Sequence, residues 1–171
     1  REQGLLDNTL IVFTSDNGGE RFSDNWPLVG GKMDLTEGGI RVPWIAHWPS
    51  VIPAGSVSAQ HCMTMDWSAT LLELGGGKAH PDFPLDGISI SEVLRDPSQS
   101  IERPLYLKID DNEYLFNLAS DQRERANLAK IETTRFESMR KAYLSWESTV
   151  PPIPEDATIS VGFSVKDMPQ R

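Results

Sequence analysis

The sequence predicts an α/β fold in two parts, and three observations carry that prediction. Thr9–Ser15 reads "TLIVFTS", a continuous β-prone run without alternation, as in a parallel strand covered on both faces. Leu71, Leu72 and Leu74 then lie on a helix opened by Asp66 and closed by Gly75, Gly76 and Gly77. Beyond about residue 100 the pattern changes to apolar alternation followed by one amphipathic helix. Residues 1–100 are therefore expected to form an α/β core with parallel character. Residues 101–171 are expected to form a small antiparallel sheet with a packed helix, ending in a tail.

Each element has a local cause. Arg1–Leu6 reads as the end of a helix, with Gly4 near its close and Asp7-Asn8 as the turn into the first strand. Residues 16–39 read as loop, with glycines at 18, 19, 30, 31, 38 and 39. The second strand, Ile40–Trp48, contains Pro43, which cannot donate to a ladder and so marks a strand start or a bulge. "ISISEVLRDP" is a short helix stopped by Pro97, and "HPDFPLDG" before it is a loop. Leu105, Leu107 and Ile109 alternate with Tyr106 and Lys108, and Asp110-Asp111-Asn112 separates them from Glu113–Leu118, which is a hairpin pattern. Phe136, Met139, Tyr143 and Trp146 share one face of a helix over 130–149, expected to pack on that hairpin. Pro-rich "VPPIPEDA" starts an extended tail.

Composition narrows the function classes. With 39% hydrophobic and 24% charged residues, the 171-residue chain is ordinary for one domain or a domain with a small appendage. Its formal net charge of −9 repels a nucleic-acid backbone. No apolar run approaches the roughly 20 residues that span a bilayer. The single cysteine, Cys62, excludes an intrachain disulfide and leaves the redox compartment open. No leader pattern opens the chain, and a helix end at residue 1 leads to the expectation that further chain lies upstream.

The chemistry-bearing residues lie in the glycine-rich loop. Asp16 and Asn17 follow the first strand and offer hard oxygens suited to Ca²⁺ or Mg²⁺; the alternative is an Asx-turn. Lys32, after Gly30-Gly31, reaches an anion as a compact point charge or is a solvated surface lysine. Arg41 is an internal ion-pair partner or an anion ligand. Trp26 stacks on a sugar ring or serves packing. Cys62, in "HCMTMD", reads as a buried thiol, His47 and His61 as structural or acid/base groups, and His80 as part of a surface loop. Zinc spacings, nucleotide loops and nucleophile elbows are absent from the sequence.

Four stretches, in order, resemble the type I sulfatases of the alkaline-phosphatase-like superfamily: "GLLDNTLIVFTSDNGGE", "GGKMDLTEGGIRVPWIAHWP", "MDWSATLLELGG" and "EYLFNLASDQRERANLA". The resemblance covers Arg1 to about Ala157. It implies part of an alkaline-phosphatase-like sheet and hydrolysis of sulfate monoesters in the complete protein. Asp16 and Asn17 match the family's metal-binding pair, usually on Ca²⁺, with Mg²⁺ as the alternative. Lys32 matches the lysine that contacts the substrate sulfate, and Gly18-Gly19, after the metal pair, are expected to leave room for the ester. The family nucleophile, a formylglycine made from a Cys/Ser-x-Pro-x-Arg motif, has no counterpart here, nor do the early Asp-Asp metal pair and the histidine-lysine segment. Relatives also carry an extra strand between "ERPLYL" and "KIDDNEYLF". The expectation is a C-terminal sulfatase portion that is inactive alone, needs the upstream part of the same protein, and leaves the Thr9–Ser15 strand with an open edge. A phosphodiesterase or phosphonate hydrolase of the same superfamily, or a non-catalytic binding module, is the alternative. By family analogy the setting is periplasmic, secreted or lysosomal.

Overall fold

The computed structural model describes residues 2–20, 22–107 and 113–152. The chain divides into two compact units, Arg1–Asn127 and Leu128–Arg171.

In the first unit a 3₁₀ turn, Leu6–Asn8, occupies the predicted entry turn, and Gly4 before it takes a positive φ of 67°. Strand β1 follows, Ile11–Thr14. It pairs antiparallel with β2, Trp44–His47, placing Ile11 opposite His47 and Thr14 opposite Trp44. β2 starts directly after Pro43, where the first backbone N–H becomes available. The reading of β1 as a buried parallel strand is corrected on both counts. Its partner runs antiparallel, and Phe13 is 65% exposed, with Ile11 and Ile45 also open to solvent. A continuous apolar run signals burial only when layers exist on both faces. Among the described residues the sheet has two strands and β1 has a free edge, the open side expected from the sequence.

The core lies where two later helices meet. α1, Glu37–Ile40, is a single turn. α2 covers Asp66–Leu74 and α3 Ser91–Arg95, and these two pack on each other. Ile90, Val93 and Leu94 supply its buried apolar side chains. Polar groups stitch it together. Thr70 is fully buried; its Oγ1 donates to the Asp66 carbonyl at 2.6 Å and accepts from the Ile90 amide at 3.0 Å. Ser91 donates to Glu73, a hydrogen bond that holds the Glu73 carboxyl below its ordinary range.

Asp66 departs from its predicted role. Met65 occupies the cap position, and Asp66 is the first helical residue, fully buried. Its carboxylate accepts from the amides of Met63 (2.7 Å) and Ile88 (3.0 Å) and pairs with Arg103. One side chain thus ties three segments to the start of α2. Beyond it, Gln60 brackets Ile101, accepting from its amide at 2.7 Å and donating to its carbonyl at 3.3 Å.

The predicted hairpin is not formed among the described residues. Residues 101–107 and 113–117 carry no strand, and the turn Asp110-Asp111-Asn112 lies outside the described residues. Alternation survives locally: Leu115 is buried, whereas Tyr114 beside it is exposed, its ring stacked 6.0 Å from Phe116. The second unit contains α4, Thr133–Glu147, within the predicted 130–149 span. Phe136 and Tyr143 are half-buried, Met139 is 55% exposed, and no α4 residue is fully buried. The Tyr143 hydroxyl donates to Glu147 at 3.1 Å. The tail beyond Pro152 lies outside the described residues.

Removing the Asp66 carboxylate strands a half-sealed guanidinium and two amide donors. Asp66→Ala is expected to destabilise the first unit by about 3–5 kcal/mol, the range for breaking a buried pair from one side. Thermal unfolding followed by circular dichroism checks it; a midpoint within about 2 °C of the parent would contradict this role.

Candidate functional site

β1 delivers the chain to its first chemistry-bearing residues. Below Thr14 the backbone bends through Asp16–Gly18. Ser15 donates its hydroxyl to the Asn17 carbonyl at 2.8 Å, and Asn17 donates Nδ2 to the Gly18 carbonyl at 3.0 Å. The amide of Asn17 is thereby used within the loop, which leaves Oδ1 as a free oxygen acceptor. Asp16 is exposed at the same bend. Two hard oxygen donors stand side by side, the chemistry a Ca²⁺ or Mg²⁺ ion requires. Ca²⁺ takes roughly 6–8 oxygens, so this pair is part of a coordination shell. Among the described residues no group of three or more His, Cys, Asp and Glu is placed to complete one.

Six glycines build the loop around that bend, and at Gly18, Gly31, Gly38 and Gly39 close backbone contact is the reason for them. The Gly18 amide donates to the Gly39 carbonyl at 2.7 Å, Gly38 to Val29 at 2.7 Å, and Lys32 to Gly19 at 2.9 Å. A Cβ on Gly18 would overlap the carbonyl of Gly38. One on Gly38 would meet the carbonyls of Val29 and Gly30, and one on Gly31 would sit 2.7 Å from the Gly19 oxygen. Gly30 alone among the six needs a positive φ, 79°. The expectation that Gly18 and Gly19 leave room for a substrate is therefore corrected. Gly38, Asn25 and Ser23 already line the space their side chains would take.

Asn25 is the side-chain rivet of this interlock. Its Oδ1 accepts from the Gly19 amide at 3.2 Å, and its Nδ2 donates to the Gly30 carbonyl at 3.0 Å. Lys32 follows from the same frame. Its backbone is fixed to Gly19, two residues from Asn17, while its ammonium is exposed and lies 3.3 Å from Glu20 Oε2. The predicted metal pair and the predicted anion-contacting lysine thus rise from one interlocked loop.

The loop also receives a later turn, Asp121–Ala126, within the last of the four resembling stretches. Asp121 Oδ2 accepts from the amides of Arg125 (2.8 Å) and Ala126 (2.9 Å), shaping the turn. Glu124 then accepts from the Glu37 amide at 2.9 Å. Burial pushes the Glu124 carboxyl above its ordinary value, the Glu37 hydrogen bond opposes this, and the charges of Glu37 and Asp121 add to the rise. Arg123 lays its guanidinium 4.1 Å above the centre of the Trp26 ring. The partners are 87 or more residues apart, so no local pattern in the sequence signals the contact.

The remaining candidates resolve into structural or surface positions. Arg41 pairs with buried Glu37 at 3.2 Å, the internal ion pair. His47 and His61 are exposed, and His80 lies 3.9 Å from Asp82 on the surface. Burial pushes the half-buried Cys62 thiol up to about 11; Asp66 adds to that and Arg103 opposes it. Cys62 therefore remains a protonated thiol at neutral pH.

Residues 1–77 match the sulfatase family model. Arylsulfatase J of Mus musculus is 37% identical over 117 residues, 63% of this chain and 20% of the relative. N-acetylgalactosamine-6-sulfatase of Mus musculus is 38% identical over 109 residues, 60% of this chain and 21% of the relative. The crystal structure of Ps i-CgsB superposes with a TM-score of 0.74 at 28% identity, covering 85% of this chain and 38% of that one. The chain spans about a fifth of the length of these curated relatives.

Glu124 supplies a test of the docked turn. Its folded pKa lies above its unfolded value, so ionisation costs stability above the folded pKa, and that cost vanishes below the unfolded one. Glu124→Gln keeps an acceptor for the Glu37 amide and removes the charge. It is expected to raise the melting temperature at pH 7, with the gain fading as pH falls below the carboxylate range. Glu124→Ala is expected to lose about 1 kcal/mol at either pH. Melting curves at pH 7 and pH 4 decide, and a Gln variant less stable than the parent at pH 7 contradicts the assignment.

Proposed function

Because the chain belongs to the sulfatase family of sulfuric ester hydrolases, we propose that its interlocked loop is the sulfate-binding part of a sulfate monoesterase site. Asp16 and Asn17 hold a divalent cation, Ca²⁺ by preference and Mg²⁺ as the alternative, and Lys32 contacts a sulfate oxygen. The observation that carries this reading is the hydrogen bond from the Lys32 amide to the Gly19 carbonyl, 2.9 Å. It fixes the base of the lysine beside the turn that carries the oxygen donors.

Charge explains why those residue types serve the reaction. A sulfate monoester is anionic, and further negative charge develops on the leaving oxygen as the S–O bond breaks. When bound, the cation supplies Lewis-acid neutralisation of that charge. Lys32 adds a positive charge fixed to a pre-formed loop, so little reorganisation is needed as charge shifts. Its contact with Glu20 is a solvent-exposed pair, worth at most about 1 kcal/mol. A sulfate oxygen takes over that ammonium at small cost, and Glu20 holds it in the meantime. Asn17 uses its amide nitrogen on the Gly18 carbonyl, which leaves its side-chain oxygen available as an acceptor.

The attacking group does not come from these residues. The sequence contains no Cys/Ser-x-Pro-x-Arg, and Cys62, followed by Met63-Thr64-Met65, is held as a protonated thiol. The nucleophile and the remaining metal ligands belong to the upstream part of a longer polypeptide, and the chain alone is inactive.

Three measurements check this reading. The purified 171-residue chain is expected to release no 4-nitrophenol from 4-nitrophenyl sulfate. Within the complete polypeptide, Lys32→Ala is expected to lower kcat/KM by about 10²–10³, the size of losing one preorganised charge-stabilising donor. Asp16→Ala is expected to weaken Ca²⁺ binding by calorimetry. Turnover by the chain alone, or an unaltered kcat/KM in Lys32→Ala, would overturn the assignment.

A further inference from the structure

Arg123 and Trp26 form a surface feature that the reaction itself does not need. Trp26 directly follows Asn25, the residue that rivets Gly19 and Gly30, so its backbone is held by the frame that carries Lys32. Its ring is nevertheless 70% exposed. Arg123 is half-buried with its guanidinium over that ring, and its Nε is sealed from solvent without a hydrogen-bond partner. Among the described residues no carboxylate pairs with it. This is unusual for the neighbourhood: Lys32 has Glu20, Arg41 has Glu37 and Arg103 has Asp66. The turn that carries Arg123 is held on both sides, by Asp121 accepting from Arg125 and Ala126 and by Glu124 accepting from Glu37. An arginine positioned on a fixed turn, stacked on a ring and lacking a carboxylate is arranged to receive an anion from outside, through a planar fork suited to carboxylate or sulfate.

We propose that Arg123 and Trp26 form a specificity subsite for the alcohol portion of the substrate, a saccharide bearing a second anionic group besides the scissile sulfate. Trp26 offers an apolar ring face to the sugar, and Arg123 receives the second sulfate or a uronic carboxylate. This deepens the sulfatase reading and rests on it for the scissile sulfate at Lys32. It converts a general sulfate site into one selective for polyanionic sugars. Neither side chain touches the reacting atoms, so both set preference rather than chemistry.

Binding to the 171-residue chain tests this without turnover. Calorimetry and tryptophan fluorescence are recorded with a disulfated disaccharide, a uronate-containing monosulfated disaccharide, a neutral monosulfated disaccharide and inorganic sulfate. The chain is expected to bind at least one of the two doubly anionic sugars about tenfold or more tighter than the neutral monosulfated one. Which of them binds tighter identifies sulfate or carboxylate as the group that Arg123 receives. Arg123→Ala is expected to abolish that preference while leaving the melting temperature and the affinity for the neutral monosulfated disaccharide unchanged, Trp26→Ala to weaken binding of the disaccharides, and Arg123→Lys to restore part of the preference. Lys32→Ala is expected to reduce inorganic sulfate binding and leave the preference in place. An unaltered sulfate affinity in Lys32→Ala, with the preference still lost in Arg123→Ala, counts against the sulfate reading alone. No binding of either doubly anionic sugar by the parent chain, or equal preference in the parent and Arg123→Ala, overturns the subsite.

Discussion

Everything at the candidate site depends on one close approach, the backbone of Gly18-Gly19 against that of Gly38-Gly39 and Gly31. The Gly18–Gly39 and Lys32–Gly19 hydrogen bonds pull three passes of the loop together at distances that leave no space for a β-carbon. A methyl group at Gly18 would occupy the position of a carbonyl. The constraint is steric before it is chemical: without it the oxygens of Asp16 and Asn17 and the ammonium of Lys32 sit on unrelated stretches of a 24-residue loop. With it they emerge from one rigid piece. The interlock sets local geometry with little help from a hydrophobic core, because the residues around it are mostly exposed.

The same dependence on polar contacts runs through the first unit. Asp66 and Thr70 are both fully inaccessible, and each satisfies backbone amides from another segment. Buried polar atoms that are fully bonded specify one arrangement, because any slip leaves a donor unpaired. By contrast β1, the most apolar segment of the chain, contributes little buried surface among the described residues. Its role here is delivery, ending where Asp16 begins.

How much of this was legible in the sequence follows from the range of each cause. The second strand was legible but its start was not: the pattern predicts Ile40–Trp48, whereas Ile40 closes α1 and β2 begins at Trp44, after Pro43, which has no N–H. The extent of α2 could be read because its leucines and the glycines after it act within one or two turns. α3 was bounded by Pro97, and α4 by its aromatic spacing. The direction and exposure of β1 could not be read, since an apolar run is equally compatible with parallel and antiparallel partners. Asp16, Asn17 and Lys32 were marked by their residue types in a glycine-rich loop. The purpose of the glycines has no local signal, because the groups that crowd Gly18 and Gly31 belong to other passes of the loop. Arg123 and Glu124 carry no local signal, because their contacts reach back to Trp26 and Glu37, beyond any local period. The buried role of Asp66 has no local signature either, because its bond to Arg103 is equally remote.

The interlock is tested most directly by amide hydrogen exchange on this chain, followed by NMR at the Gly18, Gly38 and Lys32 amides. All three donate to carbonyls elsewhere in the loop, at 2.7–2.9 Å. Gly38→Ala, placed where Val29 and Gly30 leave no room, should then cost all three their protection together while the amides of α2 keep theirs. Protection at Gly18 and Lys32 that survives this substitution would mean that the site is held by something other than the glycine contacts.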